Sequence, residues 1–167
     1  VKDEKGKQIS TKDYKWSQDK QRIIFFADRE PIYRRSSKAN AYLFDVASKK
    51  TIKLDEGKIM HASFSPDGSK IAFVKENNLY IYDVSAGQAK AVTSDGKWNH
   101  IINGNCDWVY EEEFAFSRAY QWSPEGKHIA YYRFDESKVK EYQFTVFDNS
   151  YNTQYTYKYP KAGESNS

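Results

Sequence analysis

A chain of 167 residues is of single-domain size, and with 39% hydrophobic residues, among them 10 Phe, 14 Tyr and 4 Trp, it can bury a core without metals or disulfides, which excludes disorder as its main state. Its 26 basic and 23 acidic side chains are interspersed, so the net charge of +3 forms no basic stripe and no nucleic-acid partner is expected. The longest apolar runs, Arg22 to Ala27 and Lys70 to Val74, are of strand length, far below the ~20 residues of a membrane-crossing helix, so no membrane span is expected.

The chain opens on Val1-Lys2-Asp3-Glu4-Lys5, a charged start with no initiator Met, which reads as an internal cut and says nothing of compartment. Three segments then share one pattern: Tyr14-Lys15-Trp16-Ser17-Gln18-Asp19, Ala62-Ser63-Phe64-Ser65-Pro66-Asp67-Gly68 and Tyr120-Gln121-Trp122-Ser123-Pro124-Glu125-Gly126. Each places an aromatic-Ser pair before a tight turn, where Pro presets the first turn angle and Gly accepts the positive φ that closes it. A second strand follows each turn, at Arg22 to Ala27, Lys70 to Val74 and His128 to Phe134. A third follows at Tyr42 to Val46, Leu79 to Val84 and Phe144 to Asp148, and in the middle copy a fourth at Ala89 to Thr93.

The repeat serines, Ser17, Ser65 and Ser123, recur at a distance slightly above the ~40 to 50 residues of a propeller blade, with the excess in 28–39 and 94–119. The fold predicted is all-β: a partial β-propeller of about three four-stranded antiparallel blades, at approximately 14–57, 58–97 and 117–160, with an acidic insertion at 98–116. A β-sandwich of similar strand spacing is the alternative, and the recurring turn favours the propeller. Three blades do not close a ring, since propellers use ~4 to 8, so the chain is expected to be a piece of one.

The insertion carries Asn103-Gly104-Asn105-Cys106-Asp107-Trp108-Val109-Tyr110-Glu111-Glu112-Glu113-Phe114-Ala115-Phe116. An acidic run by itself reads as a solvated face. Here Trp108, Tyr110, Phe114 and Phe116 flank it and can anchor both ends, and Asp107 is a candidate N-cap for a short helical turn. Carboxylates held side by side repel, and a cation between them relieves the repulsion; a free α-ammonium, compact and with three donors, suits two of them. The pair could instead act as general acid and base, but no sugar-binding or metal context supports that. The lone Cys106 cannot form an intramolecular disulfide or by itself a zinc site, so a small buried thiol is expected. No metal or cofactor is expected.

Asp107-Trp108-Val109-Tyr110-Glu111-Glu112-Glu113 resembles the glutamate motif of the dipeptidyl peptidase IV family, and Trp122 to Gly126, Ile129-Ala130-Tyr131, Phe134-Asp135, Glu141-Tyr142 and Tyr159 to Gly163 fit the same family in the same order. The likeness is closest to bacterial members. It implies an eight-bladed propeller capping an α/β-hydrolase domain, in a serine exopeptidase that releases N-terminal dipeptides, Xaa-Pro or Xaa-Ala. It implies further that Glu112 and Glu113 hold the free amine of a peptide substrate, and that an arginine of the Tyr33-Arg34-Arg35-Ser36 stretch lines the pocket, Arg34 by choice with Arg35 beside it. No Gly-x-Ser-x-Gly elbow occurs, and His61, His100 and His128 have no nucleophile motif to serve, so no catalytic residue is expected in this chain and it should be inactive alone.

The partners implied are peptides with a free N-terminus, the hydrolase domain of the same parent chain, and a second subunit. The homodimer contact is expected through roughly 141–160, where Tyr151, Tyr155, Tyr157 and Tyr159 would share one strand face. A bacterial periplasmic, cell-surface or secreted location is implied by the resemblance alone. The competing function is a non-enzymatic Tol-type propeller that binds proteins; it shares the Ser-Pro-Asp-Gly turns, and the glutamate insertion discriminates. An aromatic-lined carbohydrate binder would rest only on the Tyr and Trp content, which strands accumulate anyway.

Overall fold

A computed structural model describes residues 1–3, 5–11, 13–148 and 150–167. The first sheet runs β1 (Asp13–Trp16), β2 (Arg22–Pro31), β3 (Ser37–Asp45) and β4 (Thr51–Lys53), each antiparallel to the next. The second repeats that order with β5 (Met60–Phe64), β6 (Lys70–Lys75), β7 (Asn78–Asp83) and β8 (Gln88–Ala91). Ile24, Leu43, Leu54, Ile59, Ile71 and Phe73 from both sheets form one core. Each such side chain contributes roughly 1.5–3 kcal/mol of burial free energy. Small residues at Ala39, Ala41 and Ala62 share this core, and backbone bonds of 2.9 Å in each direction between Ala39 and Ile59 join the two sheets.

The repeated turns work through the buried serine. Ser65 Oγ donates to Asp67 Oδ1 at 2.6 Å and accepts from the Lys70 N–H at 3.0 Å, while Gly68 N–H donates back to the Ser65 carbonyl at 2.9 Å. The hydroxyls of Ser65 and Ser69 hold the Asp67 carboxyl down to about 2. Ser17 and Asp19 repeat the arrangement at 2.6 Å. In the third copy Ser123 Oγ still accepts from the His128 N–H, at 3.1 Å. Gly68 and Gly126 sit at φ +71° and +69°, and the matching residue of the first copy is Lys20, at φ 60°.

The excess residues at 28–39 lengthen a hairpin: β2 continues to Pro31 and β3 starts at Ser37, with a register shift between Ala27 and Glu30. The extension carries the tip, Ile32 to Ser36, away from the sheet. Beyond the second sheet come β9 (Ile101–Asn103), α1 (Trp108–Glu113), β10 (Tyr120–Trp122), β11 (Ile129–Tyr131), β12 (Arg133–Asp135), β13 (Glu141–Val146) and β14 (Thr153–Lys158). Here the ladders are two-stranded: β10 pairs with β11, β13 with β14, and β12 with β9 from the acidic insertion.

Tyr132 marks the switch from β11 to β12, donating to the Ala119 carbonyl at 2.9 Å and accepting from the Gly104 N–H at 3.0 Å. Gly104, at φ +73°, runs so close to the second sheet that a Cβ would lie 3.1 Å from Val74 and 3.3 Å from Leu79. The buried Tyr120 ring packs with Val74, Leu79 and Trp122, and its hydroxyl meets the carbonyls of His61 and Ala72 and Ser63 Oγ. No sheet among the described residues closes on itself.

The turn geometry sets a stability test by thermal unfolding of the protein. Gly68→Ala has room for its methyl, with nothing nearer than 3.7 Å, yet must adopt a left-handed backbone; it should cost about 1–2 kcal/mol. Lys20→Gly removes the same strain and should stabilise by up to about 1 kcal/mol, less the entropy glycine loses on folding.

Candidate functional site

Helix α1 is short, and its ends are fixed by side chains. Asp107 Oδ1 caps it by accepting from the Tyr110 N–H at 2.8 Å, while Asp107 Oδ2 accepts from Asn166 and Ser167 of the C-terminal segment at 2.8 and 2.5 Å. Tyr110 packs into Phe116 and Phe134. Trp108 packs on Tyr157 and Tyr159 of the last hairpin, at ring-centroid distances of 6.0 and 4.8 Å. Phe114, expected as an anchor, is 63% exposed because the chain leaves the helix there, although its ring still touches Tyr110.

At ~100° per residue, three successive glutamates on such a helix cannot share an environment. Glu111 faces inward and is fully buried, Glu112 is half-buried, and Glu113 is exposed. Glu111 Oε1 accepts from the backbone N–H groups of Arg35 and Ser36 at 2.6 and 2.8 Å, and its Oε2 is buried with no hydrogen-bond partner among the described residues. Glu112 Oε2 meets Arg34 Nε at 2.9 Å. The hairpin tip itself is closed by Ile32 N–H donating to the Ser36 carbonyl at 2.9 Å and Tyr33 N–H to Ser36 Oγ at 3.3 Å.

The structure thus brings Arg34 to Glu112, with Glu113 next along the helix. Arg35 reaches the helix through its backbone, while its side chain lines a separate pocket with Asp13, Lys15, Arg29 and His61. The residue that sequence reasoning passed over is Glu111. Its signal was present: it stands three positions from Trp108, on the same side of the helix as that ring.

The surroundings are acidic and buried. Burial, with the nearby Asp107 charge adding and Lys158 opposing, pushes the Glu136 carboxyl up to about 7. Burial raises the Tyr33 phenol as well, helped by the adjacent Tyr155 hydroxyl and by Glu136 and Glu111. Cys106 is buried as expected, pushed up to about 12 by burial and then by Glu111 and Asp107, and donates to the Phe116 carbonyl at 2.9 Å. His61 is driven down to about 4 by burial, so it is neutral and pairs through Nε2 with Asn105 Oδ1 at 2.8 Å. The described residues include no cluster of three or more His, Cys, Asp or Glu suited to a metal. An exposed arginine on a half-buried carboxylate, with an exposed glutamate at the next position, offers both charge for a compact cation and donors for a carbonyl.

Residues 17–167 match the family described as the dipeptidyl peptidase IV (DPP IV) N-terminal region, and the chain belongs to that family. The crystal structure of Porphyromonas gingivalis dipeptidyl peptidase 4 superposes with a TM-score of 0.89 at 42% identity, over 94% of this chain and 23% of that one. Prolyl endopeptidase FAP of Mus musculus is 34% identical over 164 residues, covering 96% of this chain and 22% of that protein. The probable dipeptidyl-aminopeptidase B of Chaetomium globosum is 35% identical over 167 residues, covering 90% and 18%. The chain therefore spans about a fifth of the length of these relatives, and its all-β sheets are those of a partial propeller. Among the described residues no helix is long and apolar enough to cross a membrane.

Because Glu136 holds its proton more tightly folded than unfolded, its stabilising contribution is complete below its ordinary value of 4.5 and is lost as pH rises through about 7. The melting temperature should therefore fall between pH 5 and 8. Glu136→Gln should remove that component of the fall, as a thermal scan against pH would register.

Proposed function

We propose that this chain is the amine-recognising, substrate-gating portion of a dipeptidyl peptidase that releases Xaa-Pro or Xaa-Ala from the free N-terminus of peptides. The observation that carries the reading is the 2.9 Å pair between Arg34 and Glu112, formed across two segments remote in sequence, with Glu113 on the next helical position. Arg34 occupies one oxygen of Glu112. In this reading the other oxygen and the Glu113 carboxylate accept the ammonium protons of the substrate, and the remaining Arg34 donors meet a substrate carbonyl. A blocked N-terminus has neither the charge nor the donors, so discrimination follows from electrostatics.

The reading gives no catalytic role to these residues; the nucleophile, its base and the orienting carboxylate belong to an α/β-hydrolase domain of the parent chain. Residues 14–57 and 58–97 are then blades, 98–116 is the recognition insertion, and 117–160 supplies a third blade and a projecting hairpin. A periplasmic, surface or secreted bacterial enzyme fits the kinship with the Porphyromonas protein. The homodimer contact is placed on 141–160. Tyr155 and Tyr157, the residues first expected to face a partner, lie against Tyr33 and Trp108 within the chain, while Phe147 is 81% and Phe144 40% exposed.

Two measurements on the parent enzyme test this. Glu112→Ala and Glu113→Ala should each lower kcat/KM on a Gly-Pro substrate by roughly 2–4 kcal/mol of transition-state binding, acetyl-Gly-Pro should be poor from the start, and Arg34→Lys should restore little. Wild-type kinetics in both glutamate variants would overturn the assignment. Sedimentation of Phe144→Ser/Phe147→Ser should show a weakened dimer, and an unchanged one would confine the hairpin to contacts within the subunit.

A further inference from the structure

We infer that Glu111, the first glutamate of the run, is the positioning residue of the site: it ties the arginine-bearing hairpin tip to the helix and thereby sets the Arg34 to Glu112 pair. This deepens the amine-binding reading and rests on it. Glu111 is 0% exposed, so it cannot touch a substrate. Its role must be exercised through its neighbours.

A buried carboxylate costs several kcal/mol unless it is well bonded. Glu111 meets that cost with one oxygen, shared by two backbone N–H groups at 2.6 and 2.8 Å, the lengths of charge-assisted bonds. Those donors belong to the two residues that follow Arg34. The backbone N–H groups of Ile32 and Tyr33 bond locally to Ser36 and close the turn upon itself, and the Tyr33 hydroxyl meets Tyr155 of the last hairpin, not the helix. The bonds to Glu111 cross 75 and 76 positions of sequence and fix the tip relative to the helix.

The arrangement explains why the anchor is needed. The Arg34 side chain is 73% exposed, and a salt bridge with so exposed a partner holds little by itself. Fixing the backbone beside it confines the guanidinium to the neighbourhood of Glu112, so less side-chain and loop entropy is lost when substrate arrives. A neutral acceptor at 111 keeps the shape and forfeits the charge.

The test is a double-mutant cycle in the parent enzyme, read as kcat/KM on Gly-Pro-p-nitroanilide. Glu111→Gln should lower it at least about tenfold in the wild-type background and by no more than about twofold when Arg34 is already Ala, because residues acting through one another are not additive. Equal losses in both backgrounds, or no loss in the first, would overturn the inference. Failure of the underlying reading is distinguishable, since it would show as wild-type kinetics in Arg34→Ala and Glu112→Ala. A second measurement needs no variant to fold: in the wild-type enzyme, hydrogen exchange should find the Arg35 and Ser36 amides as protected as those of β2 and β3. Rapid exchange there would equally overturn it.

Discussion

A carboxylate taken wholly out of water must find donors, and Glu111 finds them on a hairpin tip that starts in a different sheet. That requirement organises much of what surrounds it. The strands β2 and β3 have to run past the edge of their own sheet for the tip to arrive, and the register shift after Ala27 lets them do so. The helix has to present one glutamate inward and the next two progressively outward, which a turn and a half of α-helix capped by Asp107 achieves. Glu111 is wholly buried there, so the bonds are made in a setting of low polarity, where they are strongest.

That setting has a second effect. Glu111, Asp107 and Glu136 crowd one end of the helix, and the protein accommodates them by different means: backbone donors for the first, capping and the C-terminal side chains for the second, a carboxyl pushed up to about 7 for the third. Cys106 and Tyr33, caught in the same field, stay neutral.

The sequence made the repeat legible because Ser-Pro-Asp-Gly is local chemistry: a serine hydroxyl and one left-handed residue close each turn within six positions, joined by a carboxylate in the first two copies. The helix at 108–113 and its cap were legible for the same reason; that Arg34 meets Glu112 across the fold was not. Pairing between distant segments was not. That β12 leaves its own repeat to join β9 depends on Gly104 running against Val74 and Leu79, a contact across 30 and 25 positions that no local pattern records. The odd-numbered tyrosines of the last strand did declare an aromatic face, but alternation along a strand cannot say what covers it. Trp108 and Tyr33 do, from the two segments that carry the site.

Gly104 also bears on how the protein ages. Asn103-Gly104 is the sole Asn-Gly pair in the sequence, the dipeptide most prone to cyclise when the glycine nitrogen attacks the asparagine amide and ammonia departs. Here the glycine N–H is committed to the Tyr132 carbonyl, the asparagine amide donates to Asp95 at 2.8 Å, and the asparagine is wholly buried. The nitrogen cannot swing onto the side chain without first breaking the junction of β11 and β12. The glycine that lets two sheets approach therefore carries little of the chemical fragility that such a pair brings to an open loop, and the backbone four residues before the site helix is kept from acquiring an extra methylene and a stray negative charge.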